Sequence, residues 1–216
     1  MPKILLFIQC LAAVVGIIFW AKFKHSIHKW FIVYLVIIFI AELCGKFIFI
    51  NSIAPYKINY YSYCIIPFQF IFLFWYMYAF LNKYIYFFIA ASVIYIFMLV
   101  YNSIFYTDNL LGIKSLSYTV ANIFLAVMCI LIFLNFLHPN NILHFKNNIM
   151  FYVNAGVVLF YIGTLPFFAF YGLLTKQRNL LLGYYTFFLI ANIVMYLLFA
   201  LGFFMHKKNS NAILNN

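Results

Sequence analysis

Glu42 is the side chain of this 216-residue sequence whose type and place most invite chemistry, because it is the one acid inside an apolar run and Asp108 is the only other acid. A charged group at the middle of a membrane helix costs about 2.5–3.5 kcal/mol on insertion scales and marks a functional site by default. Lys46 follows four residues later. That spacing puts both on one face of a helix, about 6 Å apart along its axis. Two readings stand side by side: an ion pair that neutralises itself within one helix, or a carboxylate that binds a ligand or a proton.

Other polar side chains fall at a similar depth. At 1.5 Å per residue, Glu42 and Gln69 lie about 12 Å from one membrane surface, and Gln9, Tyr95, Asn122 and Thr164 about 9–11 Å from it. The functional reading is a pocket opening to that side, with Pro67 loosening the helix beside it. The competing reading is a set of interhelical hydrogen bonds, worth about 0.6 kcal/mol each. Asn154 and Asn192 lie outside this layer and read as interhelical glue.

Several other chemistries lack their residues. His25 and His28 have the spacing of a helical metal pair, but no cysteine or carboxylate accompanies them. With Lys22, Lys24 and Lys29 they read instead as a basic patch that binds lipid headgroups, and no metal or cofactor is expected. Residues 180–205 contain no lysine for a retinal Schiff base. Two separated acids make no acid–base pair, and no serine or cysteine stands with a histidine and an acid. Enzyme activity is not expected. Cys10, Cys44, Cys64 and Cys129 show no paired spacing and read as small packing residues.

The elements that must position Glu42 follow from composition. The chain is 69% hydrophobic and 7% charged, against about 45–50% and about 25% in soluble domains. Such a surface cannot stay in water, so the fold class is an all-α polytopic membrane protein. Seven apolar runs are long enough to cross a bilayer, at roughly 20 residues each. They cover Ile4–Ala21, Trp30–Ile50, Tyr61–Leu81, Tyr84–Tyr101, Leu116–Leu137, Ile149–Tyr171 and Leu180–Met205. Residues 1–206 form one transmembrane domain, and 207–216 a short polar cytoplasmic tail. The runs are too continuous for barrel strands.

The net charge of +11 suggests headgroups rather than nucleic acid, since the cations sit between apolar runs. Seven spans put Lys22, Lys24, Lys29, Lys83, Lys146, Lys207 and Lys208 on one face, with all five histidines. Lys3, Lys57, Lys114, Lys176 and Arg178 fall on the other, with Lys46 near them. The bias sets the N-terminus outside and the C-terminus inside. Tyrosines and tryptophans near span ends, among them Trp20, Trp30, Tyr60, Tyr61, Tyr84 and Tyr101, read as interfacial belts.

Ala41-Glu-Leu-Cys-Gly45, Tyr63-Cys-Ile-Ile-Pro-Phe-Gln-Phe70, Tyr152-Val-Asn-Ala-Gly156 and Asn192-Ile-Val-Met-Tyr-Leu-Leu-Phe-Ala-Leu-Gly202 form a familiar pattern. Together they resemble small seven-span membrane proteins of Bacteroidetes-type bacteria, a group with no assigned activity. Similar segments look like the input halves of some sensor histidine kinases. The resemblance implies a sensor or accessory subunit in the inner membrane. Its partners would be the lipid bilayer and a membrane or cytoplasmic signalling protein, since no kinase domain follows the last run. A second acid is expected in the third span, where this chain has Gln69. A small transporter or channel with Glu42 in its pathway, and a structural assembly protein, remain the alternatives.

Overall fold

A computed structural model describes residues 3–47, 56, 59–105, 115–137, 145–169 and 178–206. These are helical apart from short connections, with no strand among the described residues. The helices are α1 (Lys3–Ile18), α2 (Trp20–Phe23), α3 (His28–Phe47), α4 (Ile66–Leu81), α5 (Ile85–Phe105), α6 (Ser115–Phe136), α7 (Ile149–Val157), α8 (Gly163–Ala169) and α9 (Arg178–Met205). Wide π-helical turns, Tyr61–Ile65 and Val158–Ile162, lead into α4 and join α7 to α8. Asp108, His138, His144, Lys57, Lys114, Lys176, Lys207 and Lys208 lie outside the described residues, as does the tail 207–216.

Among the described residues, six stretches are long and apolar enough to cross a membrane: His28–Phe47, Tyr61–Leu81, Ile85–Ile104, Leu116–Phe136, Ile149–Pro166 and Gly183–Met205. The first run differs from the expectation of a full span. Helix α1 has 16 residues, about 24 Å of rise against a hydrocarbon core of about 30 Å. Phe19, at φ −86° and ψ 6°, divides it from α2. These angles fall in the sparsely populated bridge region of backbone space. The Phe19 N–H still bonds the Val15 carbonyl at 3.2 Å, so the chain bends there without losing its hydrogen bond.

Backbone groups have no water to bond in lipid, which makes helices obligatory for such apolar runs. Each helix then turns one stripe inward at steps of three and four residues. In α1 the buried stripe is Leu5, Gln9, Ala12, Ala13 and Gly16. In α4 it is Phe70, Leu73, Phe74, Met77 and Phe80. Helix α1 packs on α3 and α9, α9 on α7, and α4 and α5 both on α6. Gly156 and Gly202 let α7 and α9 close together: a Cβ on Gly156 would come within 3.0 Å of Phe199, and one on Gly202 within 3.1 Å of Ile149.

Both π turns have a local cause. Proline lacks an N–H and its ring collides with the carbonyl four residues back. Pro67 begins α4 just beyond the first π turn, and Pro166 lies inside α8 just beyond the second. Each widens the turn behind it. The Thr164 hydroxyl donates to the Tyr161 carbonyl at 3.3 Å in the second, beside the bond that Pro166 cannot make.

Candidate functional site

Glu42 sits on the packed stripe of α3 with Phe31, Leu35, Ile38 and Gly45, so helical period alone turns it inward. It is 5% exposed. Tyr61, the first residue of its π turn, donates its hydroxyl to Glu42 Oε2 at 2.7 Å. Tyr60 donates to the Ala41 carbonyl at 3.0 Å. Gly45 permits both contacts, because a Cβ there would stand 2.9 Å from Tyr61 Oη and 3.2 Å from Tyr60 Cε1. From α9, Tyr196 stands near Glu42, and Gln9 of α1 stands near the same tyrosine. Lys46, one turn beyond Glu42, is half-buried.

The remaining members of the polar layer gather elsewhere. Thr164 and Asn122 stand near the hydroxyl of Tyr118, and Tyr118 stands near Tyr95. Their common floor is Phe70, fully buried, with ring centroids 5.4 Å from Tyr95, 5.1 Å from Tyr118 and 5.3 Å from Tyr161. The structure therefore divides the expected layer in two. Gln9 joins Glu42, while Tyr95, Asn122 and Thr164 surround Tyr118. Tyr34 stands between, within reach of Tyr161 and within the field of Tyr196. Gln69 is half-buried beside Phe70, off the packed stripe of its helix.

Several buried polar atoms around these clusters have no hydrogen-bond partner: Gln9 Oε1, Ser62 Oγ, Asn192 Oδ1 and both amide atoms of Asn122. Asn154 is satisfied on one side only, its Oδ1 being unpartnered as well. Its amide nitrogen donates to the Cys129 carbonyl at 3.0 Å, an interhelical tie of the kind its position suggested.

At the other end of the bundle the basic patch is only partly as expected. Lys24 is exposed, and the Lys29 ammonium lies 5.4 Å from the Trp30 ring centre. The Lys22 ammonium donates instead to the carbonyl of His206, at the end of α9. His28 corrects the reading of a surface patch, since it is buried and its Nδ1 lies 2.7 Å from the Tyr76 hydroxyl. His206 packs on it with ring centroids 5.6 Å apart and accepts the Ile149 N–H on its own Nδ1. Burial, then the charge of Lys22, lowers the His206 pKa to about 4.

Sequence reasoning missed the buried tyrosines Tyr34, Tyr118, Tyr161 and Tyr196 and the inward His28 and His206. The signal was there for Tyr34 and Tyr196, which stand at helical spacing from Glu42 and Asn192 on the same stripes. Of the expected belt, Trp20, Trp30, Tyr84 and Tyr101 are exposed, whereas Tyr60 and Tyr61 are half-buried against α3. Among the described residues no group of three or more potential ligands could hold a metal ion. No family model, no curated protein and no solved structure matches the chain.

Proposed function

We propose that this chain is a seven-span protein of a bacterial inner membrane, N-terminus outside and C-terminus inside, acting as a sensor or accessory signalling subunit. It reads a ligand at Glu42 and passes the state to a partner at the cytoplasmic face. The observation that carries this reading is the buried Glu42 carboxyl held by Tyr61 from a π turn. Such turns inside helices occur often at functional sites, and ionisable groups in spans are costly unless used. Helix α1 serves as the seventh span, extended by α2 to Phe23 and packed along two helices of spanning length. The resemblance to kinase input segments supports output through a partner.

Native mass spectrometry of the protein extracted gently from its own membrane, beside Glu42→Gln, tests the proposal. A small molecule retained by the wild type and lost from the variant is the expected result. A stoichiometric protein partner indifferent to the substitution, with no small ligand, would make the chain a scaffold and Glu42 part of its packing. A second reading, a small transporter, draws on the buried hydroxyls that continue from Tyr196 through Tyr34 to Tyr161. It requires flux into liposomes that depends on Glu42.

A further inference from the structure

Helix α3 and the helix made of the first π turn with α4 are tied together by a hydrogen bond near each end. At one end Tyr61 donates to Glu42 Oε2 at 2.7 Å. At the other the Tyr76 hydroxyl lies 2.7 Å from His28 Nδ1. The ties stand about 21 Å apart along α3 and about 22 Å apart along its partner, at 1.5 Å per residue. Between them the two helices meet through flat rings. Tyr34 stacks on Phe72 with centroids 4.2 Å apart and 4° between planes, and Phe31 on Tyr76 at 5.0 Å and 19°. Trp30 and Trp75 meet edge to face in the same seam, at 6.4 Å. Interlocked ridges and grooves fix helices against each other, whereas parallel rings in offset stacks can slide without a side chain leaving its hole. Helix α3 packs closely on α1, and α4 on α5 and α6, so the close packing of each lies away from the seam.

The His28 tie belongs to a second cluster. Its ring lies 5.6 Å from that of His206 and 5.8 Å from that of Phe23, and His206 accepts the first N–H of α7. A shift of Tyr76 along α3 therefore displaces the ring on which the end of α9 is packed. We propose that α3 and α4 form a clamped sliding pair, in which release of Tyr61 from Glu42 moves Tyr76 against His28 and loosens the contacts of His206. The proposal rests on Glu42 being the input of the sensor reading and names the route by which its state reaches the far end of the bundle. Packed interfaces carry such signals because they switch between discrete arrangements rather than deform continuously. Coupling between two sites is reciprocal, so loosening the His28 tie weakens the Tyr61 tie by the same free energy.

Hydrogen exchange of the whole chain in nanodiscs, read by mass spectrometry, tests the route without any ligand. The reporters are the backbone N–H groups of Ile149 and His206, bonded to His206 Nδ1 and to the Gly202 carbonyl. Local opening sets their exchange. Tyr61→Phe and Glu42→Gln are expected to speed it at least about fivefold, the lower end of typical coupling between sites. Tyr76→Phe is expected to speed exchange of the α3 amides around Glu42 in return. Thr164→Val is the control, since it removes a buried hydrogen bond away from the seam and should leave Ile149 and His206 at the wild-type rate. Tyr61→Phe deletes a single hydroxyl, so it carries the test if Glu42→Gln fails to fold. Unchanged exchange at Ile149 and His206 in folded Tyr61→Phe overturns the proposal, as does an equal rise in Thr164→Val, which would mark general loosening. A small molecule lost with Glu42→Gln beside unmoved reporters overturns the route and leaves the sensor reading standing. Reporters that respond in a protein with no ligand sustain the coupling and remove the sensor reading alone.

Discussion

A hydrogen bond to a charged group is worth about 1.5–3 kcal/mol when measured by removal of one partner. Tyr61→Phe deletes the one made to Glu42, and the loss should appear as a lower unfolding free energy in mixed micelles. The same substitution made on Glu42→Gln should cost less, and the shortfall in a double-mutant cycle measures the coupling. Gly45→Ala attacks the contact by volume. The added Cβ would stand 2.9 Å from Tyr61 Oη, and overpacking of this kind costs about 1–3 kcal/mol. Strict additivity of Gly45→Ala with Tyr61→Phe would show that the glycine matters for something other than that hydroxyl.

The elements explain why Tyr61 and Tyr161 point inward. A π turn holds one more residue than an α turn, so it shifts the faces presented by what precedes it. Both turns lie just behind a proline. Pro67→Ala supplies an N–H for the Tyr63 carbonyl and lets the turn relax to α-helix. One residue of α-helix is about 100° of rotation, enough to carry Tyr61 away from Glu42. The expected outcome is that Tyr61→Phe loses its cost in the Pro67→Ala background, read in the same micelle assay. An undiminished Tyr61 cost would mean that packing, not the proline, maintains the wide turn.

For the whole molecule, one end of the bundle is latched where Lys22, His28, Tyr76 and His206 join α2, α3, α4 and α9. His206 accepts the first N–H of α7, a bond that protonation of Nδ1 abolishes. Its folded pKa of about 4 lies below the ordinary 6.5, so the unfolded chain takes up the proton first. Stability from this group is therefore intact above pH 6.5, falls as pH drops from 6.5 through about 4, and levels off below. His206→Asn should flatten that part of a stability–pH curve. Orientation is tested by cysteines placed at Asn59 and Lys83, at opposite ends of the apolar stretch Tyr61–Leu81. An impermeant thiol reagent on spheroplasts should label the first and reach the second only after permeabilisation.

Composition alone determined that this chain is helical and belongs in a membrane, since 7% charge leaves no water-soluble alternative and lipid leaves no backbone alternative. The fixed rise of a helix also put Glu42, Gln9, Tyr95, Asn122 and Thr164 at similar distances from one surface, because each residue adds about 1.5 Å. Depth along an axis was legible for the same reason, but it carries no information about angle around the bundle. That is why one apparent layer became two clusters, with Gln9 beside Glu42 and the other three around Tyr118. The π turns, the bend at Phe19 and the inward histidines were decided by tertiary packing. Each depends on which neighbour fills the space a side chain would otherwise take, and that neighbour stands far away in sequence: Tyr61 for Glu42, His206 for His28.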